Sequence, residues 1–197
     1  IFQAWTAWLL ARLKRVRFLL EIRDLWPAFA IAMKVIRSPV IIALSNWLER
    51  FLYRHADQLV VNSPGFIPHI QARGGKNIVL IPNGVDPKMF DPSARGEGTR
   101  ERLHLSDAFI VTYTGAHGLS NDLEVLLAAA RITAGDPHIV YLLVGDGKEK
   151  PALRALADQW RLTNVFFEPP VPKDEMKEVL AAADACIVIL KPVDLYK

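Results

Sequence analysis

Two glycine-rich segments in the second half of this 197-residue chain hold residue types suited to binding an anion: Gly115-Ala-His-Gly-Leu-Ser-Asn121 and Gly145-Asp-Gly147. Each follows an apolar, β-branched run and precedes apolar residues at helical spacing, which predicts a strand-to-helix connection. Gly115 and Gly118 let the backbone come close to a ligand, and the amides opening the next helix direct partial positive charge at a phosphate. Neither segment matches G-x-G-x-x-G or the P-loop pattern, and tight turns with no ligand would read the same way. His117, the one histidine of five in a glycine-rich loop, could donate to a diphosphate oxygen or be an exposed loop residue without a role. A second group, Glu21, Arg23, Asp24 and Trp26, follows an apolar run in the first half. Charged side chains there are placed for a cleft, or Arg23 and Asp24 pair to anchor the next loop.

The elements that must position these residues alternate along the chain. In the second half, strands over Phe109–Thr114, Ile139–Val144, Asn164–Glu168 and Ala185–Leu190 are separated by helical patterns carrying Leu123/Leu126/Leu127/Ala130, Leu153/Leu156/Ala157/Trp160 and Met176/Val179/Leu180/Ala183. Asn121, three residues before Glu124, reads as a capping box. In the first half, a Trp5/Trp8/Leu9 helix leads to a strand over Phe18–Arg23. Ser38-Pro39 opens a helix burying Trp47, Leu48, Phe51 and Leu52, and Gln58–Asn62, 64–73 and Asn77–Ile81 follow as strand, helix and strand. Apolar strands alternating with helices predict an α/β fold with parallel sheets covered on both faces. The polar, Pro/Gly/Ser-rich stretch 91–100 reads as a linker between a domain at 1–90 and one at 101–197.

Composition narrows the class. With 51% hydrophobic and 23% charged residues the chain can bury a sizeable core. No apolar run is long enough to cross a bilayer. The net charge of +3 is unevenly spread: residues 1–90 hold twelve Lys/Arg against five Asp/Glu, and residues 91–197 hold twelve against sixteen. The basic front half could face anionic lipid or a phosphorylated acceptor. Trp5 and Trp8, beside Arg12, Lys14, Arg15 and Arg17, suit either a membrane interface or a core. A lone Cys186 rules out an internal disulfide, fits a reducing compartment and is expected in the core. The scattered histidines give no metal-ligand spacing, so no metal is expected. No G-x-S-x-G is present, and nothing suggests nucleic-acid binding.

Several segments taken together resemble the family-four retaining glycosyltransferases. Ile81-Pro-Asn-Gly-Val-Asp86 followed by Phe90 resembles that family's interdomain segment. Glu21-Ile-Arg-Asp-Leu-Trp-Pro27, Trp47-Leu-Glu-Arg50, Val60-Val-Asn-Ser-Pro-Gly65 and Tyr113-Thr-Gly-Ala-His-Gly-Leu119 resemble a bacterial subgroup that transfers sugars, fucosamine derivatives among them, in O-antigen, capsule or exopolysaccharide synthesis. The resemblance implies two Rossmann-like parallel-sheet domains, the GT-B fold, both incomplete here, with an acceptor-side N-terminal domain and a donor-nucleotide-binding C-terminal domain. It implies a nucleotide-diphosphate sugar as donor substrate, no further cofactor, a lipid-linked or oligosaccharide acceptor, and a cytoplasmic location with a possible place at the inner membrane face.

By the same resemblance the Gly115 loop faces the donor diphosphate, Gly145 lies beside it, and the strand holding Phe167, with Pro169 and Pro170, borders the base. Relatives carry an arginine and a lysine around the phosphate loop. Ala116 or His117 and Asn121 stand there in this chain, so neutralisation falls to His117, backbone amides or groups such as Lys191. Arg23 stands where many relatives have a histidine, and with Asp24 it is expected to line the acceptor side. The family's paired glutamates, eight positions apart, have no counterpart here, so this chain by itself is expected to be inactive. A catalytically silent binding protein on the same scaffold, or a Rossmann oxidoreductase, are the alternatives; the latter lacks its glycine fingerprint.

Overall fold

The computed structural model describes residues 2–91 and 93–192. They form two compact units, the first ending at Gly84 and the second running Val85–Lys191.

The first unit orders α1 (Phe2–Lys14), β1 (Leu19–Ile22), α2 (Ala28–Ala32), α3 (Pro39–His55), β2 (Gln58–Val61), α4 (Phe66–Ala72) and β3 (Ile78–Leu80). The strands make a parallel sheet, β1-β2-β3, with Leu20 opposite Leu59 and Leu59 opposite Ile78. Pro39 sets the first turn of α3 and Ser38 stands before it in extended conformation. The inner stripe of α3 buries Leu48, Leu52 and Tyr53. Trp5 and Trp8 of α1 are half-buried against Phe51, with ring centroids 5.2 and 4.8 Å away, beside the buried Ala11, Phe18, Leu48 and Leu52. Both tryptophans therefore pack helix on helix.

The second unit orders α5 (Glu97–Arg102), β4 (Phe109–Thr114), α6 (Glu124–Ile132), β5 (Ile139–Val144), α7 (Lys150–Gln159), β6 (Val165–Glu168), α8 (Met176–Ala181) and β7 (Ala185–Cys186). Its parallel sheet runs β6-β5-β4-β7, with Tyr113 opposite Leu143 and Leu143 opposite Phe167. The continuous apolar run of β5 is buried from Val140 to Val144, as a central strand covered on both faces requires. One face packs Leu126, Leu127, Ala130, Leu153 and Ala157 on Tyr113, Tyr141 and Leu143. The other packs Leu105 and Val179 on Ile110, Leu142 and Val144.

Local expectations change in four places. Glu97–Arg102, which begins inside the expected linker 91–100, is helical, and Gly96 lies against the backbone of Ala182 so closely that a Cβ has no room. The two units divide earlier than that linker, between Gly84 and Val85. Asn121 does not cap a helix. Asp122 takes a left-handed conformation (φ 49°), which delays α6 to Glu124, and Leu123 stands at the cap without a side-chain bond. Of the expected strand Ala185–Leu190 only Ala185–Cys186 pairs, because β7 is an edge strand whose continuation leaves Val188 exposed. For the same reason Cys186 is exposed rather than in the core.

Candidate functional site

The carboxyl ends of β4, β5 and β6 converge on one corner of the second unit. Gly115 follows β4 with φ 153° and Gly145 follows β5 with φ 144°, values that disfavour a side chain. A Cβ on Gly145 would run into the Gly115 carbonyl, and one on Gly147 into the backbone of His117. The two loops thus pack backbone to backbone. The Gly115 amide donates to the Val144 carbonyl (3.0 Å), the His117 amide to the Asp146 carbonyl (2.8 Å), and the Glu149 amide to the His117 carbonyl (3.0 Å). Tyr113 closes the turn by donating its hydroxyl to the Ala116 carbonyl at 2.9 Å.

Gly115 and Ala116 are exposed, while His117 beneath them has 0% accessible surface. The sequence leaves His117 open as an exposed loop residue; the structure places it in the layer between the two glycine loops. Its ring centroid lies 6.0 Å from that of Tyr113 and 6.3 Å from that of Phe167. Neither ring nitrogen has a hydrogen-bond partner. Burial, and then the Lys150 ammonium, push the imidazole below its ordinary value of 6.5, opposed by Asp146. It is neutral near pH 7. Among the described residues the amides of Ala116, Gly118 and Leu119 also donate to no partner. The two buried, unpaired ring nitrogens of His117 are the uncommon case and need an explanation, whereas the amides of Ala116, Gly118 and Leu119 are open to a ligand.

Of the residues expected at the donor side, Gly115, Ala116, His117, Gly118, Gly145 and Phe167 come together at this corner. Asn121 folds back under the turn, its amide on the Gly118 carbonyl at 3.1 Å. Lys191 joins through its backbone, donating to the Ser120 carbonyl at 2.8 Å, and lines a shallow cleft with Gly118, Leu119 and Glu124.

Two cations here are absent from the sequence reading. Lys150 Nζ donates to the Gly145 carbonyl (2.6 Å) and the Glu168 carbonyl (2.7 Å), tying the ends of β5 and β6. Arg154, one turn on, donates to the Phe167 carbonyl at 3.2 Å and lies 5.6 Å over the Phe167 ring. A signal existed: α7 opens with a lysine and no acidic residue in its first turn, against the preference set by the helix dipole.

In the first unit, Arg23 and Asp24 share a cavity of about 460 Å³ with Leu20, Ile22, Trp26 and Glu49. They do not pair with each other. The Arg23 guanidinium sits 3.7 Å from Glu21 and donates to Asn83 at 3.4 Å. Glu49, which in the sequence looks like one more helix-surface acid, is 1% exposed. It bonds Arg73 at 2.6 Å and His69 at 2.9 Å, and burial, with the Glu49 carboxylate adding to it, drives the pKa of the Tyr53 hydroxyl strongly upward. Among the described residues no cluster of His, Cys, Asp or Glu could hold a metal ion.

With this geometry in place, comparison with known proteins gives the class. Residues 2–84 match the family described as "Glycosyl transferase 4-like domain". Across both units the chain shares the α/β, parallel-sheet GT-B fold of solved glycosyltransferases. The structure of Anabaena Alr3699/HepE in complex with UDP and glucose matches with a TM-score of 0.76 at 18% identity, over 93% of this chain and 49% of that one. WaaG, a glycosyltransferase involved in lipopolysaccharide biosynthesis, matches with a TM-score of 0.69 at 16% identity, over 95% and 57%.

Among sequences, the putative colanic acid biosynthesis glycosyl transferase WcaI of Escherichia coli K12 is 25% identical over 191 residues, covering 93% of this chain and 47% of that protein. A D-inositol 3-phosphate glycosyltransferase of Geodermatophilus obscurus is 30% identical over 155 residues, covering 71% and 34%. The chain therefore spans about half, or less, of the curated relatives it matches.

Proposed function

We propose that the chain is part of a nucleotide-sugar-dependent glycosyltransferase, with the Gly115 corner as its donor site. The observation that carries this reading is the set of unpartnered amides at Ala116, Gly118 and Leu119 above an imidazole with two unpartnered nitrogens, at the carboxyl end of a parallel sheet. A diphosphate seated there accepts from the amides, with the His117 imidazole packed directly beneath them. Oriented main-chain dipoles then offset charge as the nucleoside diphosphate departs, without a metal or other cofactor. Lys191 adds positive charge at the rim, and Phe167 at the end of β6 borders the base.

The reaction is hexose or amino-sugar transfer with retention, onto a lipid-linked or oligosaccharide acceptor in the cytoplasm, at the inner face of the membrane. Arg23 and Asp24, on the cavity of the first unit, face the acceptor: the guanidinium suits a phosphate and the carboxylate a sugar hydroxyl. Relatives support the class, since HepE holds UDP and glucose, and WcaI and WaaG are named for colanic acid and lipopolysaccharide synthesis. A thermal-shift screen with UDP-, GDP- and dTDP-sugars tests the donor site, because a ligand that binds the native state raises its apparent stability. At least one should shift the transition, and less so in His117→Ala. If none does, the donor site is elsewhere or absent.

A further inference from the structure

We propose that Arg154 of α7 selects the donor base. It admits bases that set a carbonyl beside a ring N–H, as uracil, thymine and guanine do, and rejects adenine and cytosine, which set an amino group beside a bare ring nitrogen. This rests on the donor-site reading above and names the class of nucleotide that the site takes.

Strand order places the base. β4, β5 and β6 lie side by side in register, so the end of β6 is two strand spacings, about 10 Å, from the end of β4. A diphosphate held by the amides after β4 can therefore lay its ribose and base along the row of strand ends. Toward β6 that row finishes on a ring and a cation. Phe167 lies 6.3 Å from His117 between ring centroids, and the Arg154 guanidinium lies 5.6 Å over Phe167. On the other side β7 stops pairing opposite Thr112, short of the corner.

Most hydrogen-bonding groups at the end of β6 are already engaged. The Glu168 carbonyl accepts from Lys150 at 2.7 Å and from the Gly145 amide at 3.3 Å, and the Glu168 carboxylate pairs with Arg102 at 2.6 Å. Pro169 and Pro170 have no N–H, and among the described residues their carbonyls accept no hydrogen bond. Arg154 is exposed, pairs with no acid, and spends one N–H on the Phe167 carbonyl at 3.2 Å. That bond and the ring contact fix the guanidinium at the strand end while its other donors stay free. The end of β6 thus offers donors from Arg154 and acceptors from two prolines. A guanidinium only donates, so it suits a base carbonyl, whereas an amino group would set N–H against N–H and leave both unpaired. The proline carbonyls suit the neighbouring ring N–H, which adenine and cytosine lack.

The test is isothermal titration of the full chain with UDP, dTDP, GDP, ADP, CDP and inorganic pyrophosphate. At least one of the first three should bind about tenfold or more tightly than both ADP and CDP. Arg154→Ala should shrink that ratio to about threefold or less and leave pyrophosphate affinity unchanged. Arg154→Gln, whose amide both donates and accepts, should lift ADP and CDP toward the others, and Arg154→Lys, still a donor, should keep the order. Because Arg154 is exposed, unchanged circular dichroism and thermal transition are expected in all three variants. Binding of ADP or CDP as tight as the best of the others overturns the proposal, and so does an unchanged ratio in Arg154→Ala. A parallel fall of pyrophosphate and nucleotides in that variant assigns Arg154 to holding the strand edge and overturns it as well. Pyrophosphate binding without base preference removes base selection and leaves the donor site standing, whereas no binding by any of these ligands removes both.

Discussion

His117 illustrates how much a single side chain depends on its surroundings. In the sequence it is one histidine in a loop. In the fold it is an uncharged imidazole held by burial below its ordinary value of 6.5, with Lys150 adding to the effect. The native state therefore resists protonation more than the unfolded chain does. Its contribution is fully present above about pH 6.5 and is lost as pH falls through that value toward the lower native one. The thermal transition should drop between pH 7 and 5, and His117→Gln should remove part of that slope; parallel profiles would show that His117 is not the group involved. Gly145 makes a steric prediction. Gly145→Ala, at φ 144° and against the Gly115 carbonyl, should cost about 2–3 kcal/mol in urea unfolding.

At the scale of elements, the two glycine loops act as one because β4 and β5 are adjacent and in register, Thr114 opposite Val144. Lys150 extends the same join to β6. Lys150→Met should loosen the Gly145 loop, raise the midpoint of the His117 titration and weaken nucleotide binding. Proton resonances of the imidazole followed against pH, with Lys150→Arg as the rescuing variant, separate that effect from a general loss of fold. In the first unit α4 is fastened to α3 by a buried carboxylate. Glu49→Ala strands the Arg73 guanidinium and should cost about 3–5 kcal/mol in chemical denaturation. Asp184 does comparable work at the edge of the other sheet, accepting from the Ile110 amide at 2.8 Å and from Arg100 at 2.7 Å.

At the scale of the molecule, the chain holds two compact units and spans about half of the relatives it matches. No two of its glutamates lie eight positions apart, so the pair that the family resemblance assigns to gripping sugar and ribose is not in this sequence.

The parallel α/β architecture was legible from residue order, because a strand buried on both faces, such as Ile139–Val144, must be apolar throughout, and a helix on a sheet must repeat its apolar residues every turn. The glycine loops were legible too, since at Gly145 and Gly147 the close approach of two backbones leaves no room for a Cβ. Burial of polar groups was not. His117, Glu49 and Lys150 look like ordinary loop or surface residues in one dimension. What they become is set by neighbours distant in sequence: Phe167 for His117, Arg73 for Glu49, Glu168 for Lys150. Local pattern fixes which segments form strands and helices, because that depends on nearby residues. Desolvation and pairing depend on which segments meet, and only the packed tertiary structure decides that.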